Sequence, residues 1–168
     1  MRKLNPKHVD AIITLINRSP YFELLSMVIL DMGIGYSLVE VDLENKHLNP
    51  FGGIHGGVYA SIIDTAAYWA IYCELDENVG LVSLDLKVNN LAPIKSGKLI
   101  INGRRIKFGR IISLAEAVVT SEEGKILAQG TSTLMQTSGL QTIKEAISLT
   151  GEKPPPSKFI EEECNFSL

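Results

Sequence analysis

Between Val58 and Cys73 runs a segment that is helical by length and composition, yet apolar on nearly every face. Val58, Ile62, Ala66, Trp69 and Ala70 form one stripe, and Ile63, Ala67 and Ile71 extend it round the cylinder. A helix that is apolar all round is buried rather than laid on a surface. The rest of the chain must therefore wrap it. Residues 79–90, 98–108, 110–121 and 125–137 read as four strands, broken at Pro93 to Gly97, Phe108-Gly109 and Glu122-Glu123-Gly124. These breaks predict an antiparallel meander with hairpin-length connections. Upstream, residues 24–31 and 35–43 read as two more strands joined through Gly33–Gly35. In the second of them Leu38, Glu40 and Asp42 alternate with Val39, Val41 and Leu43, the period of a strand. Residues 6–18 read as an amphipathic helix with Pro6 in its first turn and Val9, Ile12, Ile13 and Ile16 at helical spacing. Ser19-Pro20 is expected to end it. The whole pattern predicts an α+β fold in which one long sheet curls round a single helix.

At 168 residues the chain is long enough for one domain with a substantial core. Residues 1–138 are expected to form that domain, N-terminal helix included, and 139–168 a C-terminal extension. After Gly139 the character changes: 140–149 suit one more short helix, followed by Gly151, Pro154-Pro155-Pro156 and Glu161-Glu162-Glu163. The proline run favours extended geometry. A tail strapped to the surface is the plain expectation, and a partner-binding tail is its rival.

Bulk properties narrow the function class. The formal charge is −3, so nothing global argues for nucleic acid. Cys73 and Cys164 make neither a disulfide framework nor a metal-ligand spacing, which fits a reduced compartment. The first residues carry no apolar signal core, and no apolar run reaches membrane-spanning length. The cytoplasm is the expected setting.

The chemistry concentrates at the start of the buried helix. Asn49-Pro50-Phe51-Gly52-Gly53-Ile54-His55-Gly56-Gly57 is a glycine-dense loop that runs into a helix, and backbone amides at a helix start favour negative charge. Asp64 is then the only charged residue until Glu74. A carboxylate among apolar neighbours is costly unless it has a partner or a task. Together they suggest a site where a carbonyl oxygen gains charge while an acid handles water or a proton. The histidines His8, His47 and His55 have no companions at zinc-ligand spacing. Arg104, Arg105, Lys107 and Arg110 cluster round a late turn, where they either bind phosphate or merely solvate a strand edge.

Taken jointly, the Asn49-to-His55 spacing, the His55-Gly56-Gly57 triplet and Asp64 nine residues on resemble the hotdog-fold acyl-CoA thioesterases. Ser83-Leu84-Asp85-Leu86 with Pro93 beyond, Gly103-Arg104-Arg105, and Gly109-Arg110 with Glu116 fit the same layout, over about residues 19 to 137. The branch they resemble most is that of the phenylacetic-acid degradation thioesterases. The resemblance implies a curved six-stranded antiparallel sheet round a central helix, in homodimers that often pair into tetramers. It implies hydrolysis of an acyl-CoA to free acid and coenzyme A, with coenzyme A as part of the substrate and no separate cofactor or metal. Asp64 would be general base or nucleophile, and the Gly57 N–H the oxyanion donor. Asn49 would place the carbonyl or the attacking water, His55 would hold the loop or the thioester, and Ser83 would orient the water. Loop residues of one subunit would meet the acid and serine of the other. Tyr68 and Trp69 stand where many relatives carry small residues; they either reshape the acyl pocket or pack the core. Two rivals remain at this level. A hydroxyacyl-thioester dehydratase would place its acid closer to the histidine. A non-catalytic acyl-CoA-binding module would have little use for Asp64.

Overall fold

A computed structural model describes residues 2–161. A short strand β1 (Arg2–Leu4) leads into helix α1 (Pro6–Asn17), a one-turn helix α2 (Pro20–Leu24), and strands β2 (Met27–Gly33) and β3 (Tyr36–Asp42). The central helix α3 (Gly56–Tyr72) follows. After it come β4 (Val79–Asn90), β5 (Lys98–Lys107), β6 (Ile112–Ser121) and β7 (Ile126–Ser138), then α4 (Ile143–Thr150) and β8 (Phe159–Glu161). The six long strands form one antiparallel sheet in the order β2-β3-β5-β6-β7-β4. The α+β class and the wrapped helix are as the apolar pattern predicts.

Two local expectations are corrected. Pro20 does not merely end α1. It opens α2 at a first-turn position, where a missing N–H costs nothing, so residue 24 is helical and β2 begins at Met27. The last four strands are also not a simple meander. β5, β6 and β7 are sequential hairpin neighbours, but β4 pairs with β7 at the edge and β5 pairs with β3. The segment containing Pro93 to Gly97 is therefore a crossover between sheet edge and sheet interior. Turn residues report where a strand stops, not which strand it pairs with next. The crossover is braced by the glycine loop, through Ile54 N–H to the Ile94 carbonyl at 3.3 Å.

α3 lies against the sheet with Val58, Tyr59, Ile62, Ile63, Ala66, Ala67, Trp69, Ala70, Ile71 and Tyr72 buried. Each fully buried isoleucine contributes roughly 1.5–3 kcal/mol of apolar burial. Contact is closest at Gly103, where an added Cβ would sit 2.3 Å from the Ala66 carbonyl oxygen. Ser37 donates to that same carbonyl at 2.7 Å. The bare glycine thus lets helix backbone approach strand backbone and fixes the axial position of α3.

The C-terminal segment closes on the N-terminus. β8 pairs antiparallel with β1, Leu4 facing Phe159. Lys158 is buried, donates to the Tyr72 carbonyl and lies 3.7 Å from the Tyr72 ring centre. His8 bridges the Pro156 carbonyl (Nδ1, 2.6 Å) and the Tyr72 hydroxyl (Nε2, 2.8 Å). A carbonyl only accepts, so Nδ1 carries the proton and Nε2 accepts from Tyr72. Cys73 is a free, buried thiol, and burial pushes it up to about 11. Cys164, Glu162 and Glu163 lie outside the described residues.

Candidate active site

The loop before α3 is built from its own polar groups. Asn49 Oδ1 accepts from the amides of Phe51 (2.9 Å) and Gly53 (3.3 Å), and its Nδ2 donates to the Ile54 carbonyl at 3.4 Å. Such Asx bonding holds a turn without help from regular structure. Beneath it, His47 is buried and accepts from Glu44 N–H at 2.9 Å, while its Nε2 donates to the Leu25 carbonyl at 2.9 Å. His47 is thus a brace for the loop. His55 is the N-cap of α3, and its Nδ1 accepts from the Gly57 amide at 2.9 Å. The expected oxyanion donor is therefore already engaged. A ligand oxygen reaches the Gly57 N–H only by displacing His55 Nδ1.

Asp64 is not the isolated acid that its sequence neighbours suggest. It is half-buried, and its Oδ1 accepts from Ser83 Oγ at 2.8 Å and from Ser132 Oγ at 2.9 Å. Oδ2 has no hydrogen bond among the described residues. Ser83 reaches the acid because β4 is irregular there: the register with β7 shifts between Ser83 and Asp85, leaving Leu84 as the extra residue. A bulge of this kind re-aims a side chain beside a site. Ser132 is fully buried on β7, and sequence reasoning missed it. Its signal was present: on the inward face it falls between Gly130 and Leu134, where a hydroxyl needs a partner.

Asp64 and Gly57 stand seven residues apart on one helix, about 10 Å along the axis. Direct contact of one thioester carbonyl with both groups of the same chain would have to bridge that offset.

The acid opens onto a cavity of about 670 Å³ between α3 and α4, where Tyr68, Trp69, Ile143, Ala146 and Leu149 supply apolar lining. Tyr68 packs partly on the core and partly lines this cavity, and Trp69 meets it edge-on at 5.1 Å between ring centres. Burial pushes the Tyr68 phenol up to about 12, so it is neutral at ordinary pH.

The basic residues divide. Arg104 pairs across the strands with Glu116, by Nε at 2.9 Å and Nη2 at 2.5 Å. Arg105 pairs with Glu74 at 3.0 Å. Among the described residues Lys107 and Arg110 make no ion pair, so they are the two with a free charge for a ligand. Their turn is fastened to β7 by Gln136, which donates to the Gly109 carbonyl at 2.8 Å. No group of three side chains suited to a metal ion occurs among the described residues. No described helix is long and apolar enough to cross a membrane.

This geometry agrees with comparison to known proteins. Residues 51–128 match the thioesterase superfamily. Mouse acyl-coenzyme A thioesterase 13 is 30% identical over 95 residues, which is 55% of this chain and 67% of that protein. A relative from Haemophilus influenzae is 32% identical over 50% of this chain, and the match spans 61% of its own length. Among solved structures, a Haemophilus influenzae thioesterase superposes with a TM-score of 0.71 at 26% identity, covering 79% of this chain and 92% of that one. A hypothetical thioesterase from Streptococcus pneumoniae, solved with coenzyme A, gives 0.62 at 25% identity over 67% of this chain and 86% of its own. The fold and these matches define the class of hotdog-fold thioester hydrolases. The chain belongs to the thioesterase superfamily.

Proposed function

We propose that this protein hydrolyses acyl-CoA thioesters, with Asp64 activating the attacking water. The observation that carries the proposal is the state of Asp64: two serine hydroxyls fix one carboxylate oxygen and leave the other without a hydrogen-bond partner among the described residues, at the edge of a largely apolar cavity. Ser83 and Ser132 hold the carboxylate in one orientation, which leaves Oδ2 to take a proton from water or to attack the carbonyl itself. The developing oxyanion goes to the Gly57 amide, with His55 turning aside as the carbonyl enters. One such donor is worth roughly 2.7–4 kcal/mol of barrier. Asn49, which holds the loop in shape, places the carbonyl or the attacking water once the substrate is bound. Lys107 and Arg110 take coenzyme A phosphates, and Arg104 and Arg105 contribute by exchanging their carboxylate partners. The phenylacetic-acid branch of the family is part of this proposal, as is a reducing compartment such as the cytoplasm, which suits the free thiol of Cys73.

The working unit in this proposal is a homodimer, paired further into a tetramer. The 10 Å offset between Gly57 and Asp64 supports it, because a second copy can bring its glycine loop to the acid of the first. The outer edge of β4 and the exposed Phe51 and Leu84 (92% and 54% exposed) suit a surface that another copy covers. The test is a panel of acyl-CoA esters followed by thiol release, with Asp64→Asn as control. Turnover that depends on Asp64 is expected. Tight acyl-CoA binding without turnover, or hydration of an enoyl-CoA, contradicts the proposal.

A further inference from the structure

The cavity beside Asp64 has a wall that the superfamily match does not reach. That match ends at residue 128, whereas α4 begins at Ile143. α4 is a well-capped helix with no fully buried residue, seated on the core through half-buried Ile143. Thr142 and Glu145 form a reciprocal capping box at its start, and Gly151 ends it in the left-handed conformation. The strap leading into it is pressed on β4 at Gly80, where an added Cβ would lie 1.9 Å from the Leu140 carbonyl oxygen and 2.6 Å from that of Gln141. Only a bare glycine permits that seat.

The lining decides what fits. Among the described residues its only charged groups are Asp64 and Glu145, and Glu145 is tied to the Thr142 amide at 3.0 Å. No lysine or arginine among the described residues faces the cavity. Phosphates and free carboxylates are therefore repelled, which excludes the nucleotide end of coenzyme A and any diacid. Thr65, Gln141, Thr142 and Ser148 add uncharged polar groups, and the apolar surface comes from Ile143, Ala146 and Leu149 on one side and Tyr68 and Trp69 on the other. A ligand that presents its reacting carbonyl to Asp64 has this groove directly adjoining.

We infer that α4 forms a wall of the acyl pocket, so that an uncharged, apolar acyl group lies along Ile143, Ala146 and Leu149 and selects the substrate by chain length. The inference rests on the thioesterase reading above. From Ile143 to Leu149 the wall is about 9 Å long. Acyl groups that reach along it gain contact that an acetyl group does not.

Trp69 is the only tryptophan of the chain and lines the groove, so its emission reports occupancy. The probe is an unreactive S-decyl-CoA thioether, with the S-methyl form as comparison. The decyl form should change Trp69 emission saturably and bind the full chain at least tenfold tighter than the methyl form. Ala146→Phe narrows the groove, and Leu149→Lys puts a charge on its rim at a residue 88% exposed, where folding is insensitive to the change. Each should reduce the decyl-to-methyl affinity ratio, and the decanoyl-to-acetyl ratio of kcat/KM, by tenfold or more. Unchanged ratios in both variants, with folding intact by circular dichroism, overturn the inference and leave hydrolysis standing. A variant that shifts the oligomeric state by sedimentation without changing either ratio also overturns it, since the groove then seats a second copy. Groove-dependent decyl binding with no hydrolysis of any ester supports the groove and overturns the thioesterase reading instead.

Discussion

The two ends of the candidate site are made differently, although both belong to α3. The glycine loop at its N-terminus satisfies itself: Asn49 spends its side chain on three bonds within the loop, and His55 caps the Gly57 amide. The acid two turns further on depends on distant strands, Ser83 on β4 and Ser132 on β7, and keeps one oxygen unpartnered among the described residues. The loop is a locally determined device, legible from a dozen residues. The acid is a tertiary device, positioned only when the sheet closes round the helix. Substitutions should therefore act on the loop chiefly through local stability, and on the acid chiefly through catalysis.

The largest expected effect is at the acid. Asp64→Asn preserves shape and removes the base, and kcat should fall by roughly 10²- to 10⁴-fold with little change in Tm. A wild-type rate would remove Asp64 from the chemistry. Ser132→Ala should be next. A hydrogen bond to a charged group is worth about 1.5–3 kcal/mol, so kcat is expected to drop by about ten- to a hundredfold while KM moves little. A change confined to KM would instead make Ser132 a binding residue, and a change confined to Tm would make it purely structural. On the loop side, His55→Ala removes the helix cap and should lower unfolding free energy by about 0.5–2 kcal/mol in urea titrations. Its effect on kcat should be smaller than that of Ser132→Ala, since it also frees the Gly57 amide.

The smallest effect lies at the other end of α3, where the strap docks. Burial holds the His8 imidazole below its ordinary value of 6.5, with Lys158 adding to that direction and the Pro156 carbonyl and Glu77 opposing it. The unfolded chain therefore takes up a proton that the folded chain refuses as pH falls through 6.5. Stability should be full above that pH and decline below it. Urea midpoints at about pH 7.5 and about pH 5 should differ, and His8→Gln should flatten the difference. An unchanged slope would remove His8 from the linkage.

The same division explains what could be read from the sequence. The apolar helix, its wrapping strands and the glycine loop were visible because each is written in consecutive residues. Strand order was not: Pro93 to Gly97 looks like any turn, and its role as a crossover depends on which edge α3 delivers the chain to. Pro20 was ambiguous for the same reason that proline both stops and starts helices. Ser132 was hidden because one serine on an inward face has meaning only beside Asp64, 68 residues away. Nothing in the local sequence marks Lys158 or His8 for burial, and they are enclosed where the strap returns over Tyr72. The capping of Gly57 by His55 was the converse case. The contact is local, but a donor reserved for substrate and a donor held by a cap have the same sequence.

The central claim is that the two devices meet across copies of the chain rather than within one. Mixing Asp64→Asn with Gly57→Pro, each inactive alone, tests it directly after subunit exchange. If each site combines one copy's acid with the other's loop, half of the random dimers carry one intact site, and thiol release should recover to about a quarter of the wild-type rate. If acid and loop of the same chain form the site, neither parent in the mixed dimer holds an intact pair, and activity should stay at the level of the separate variants.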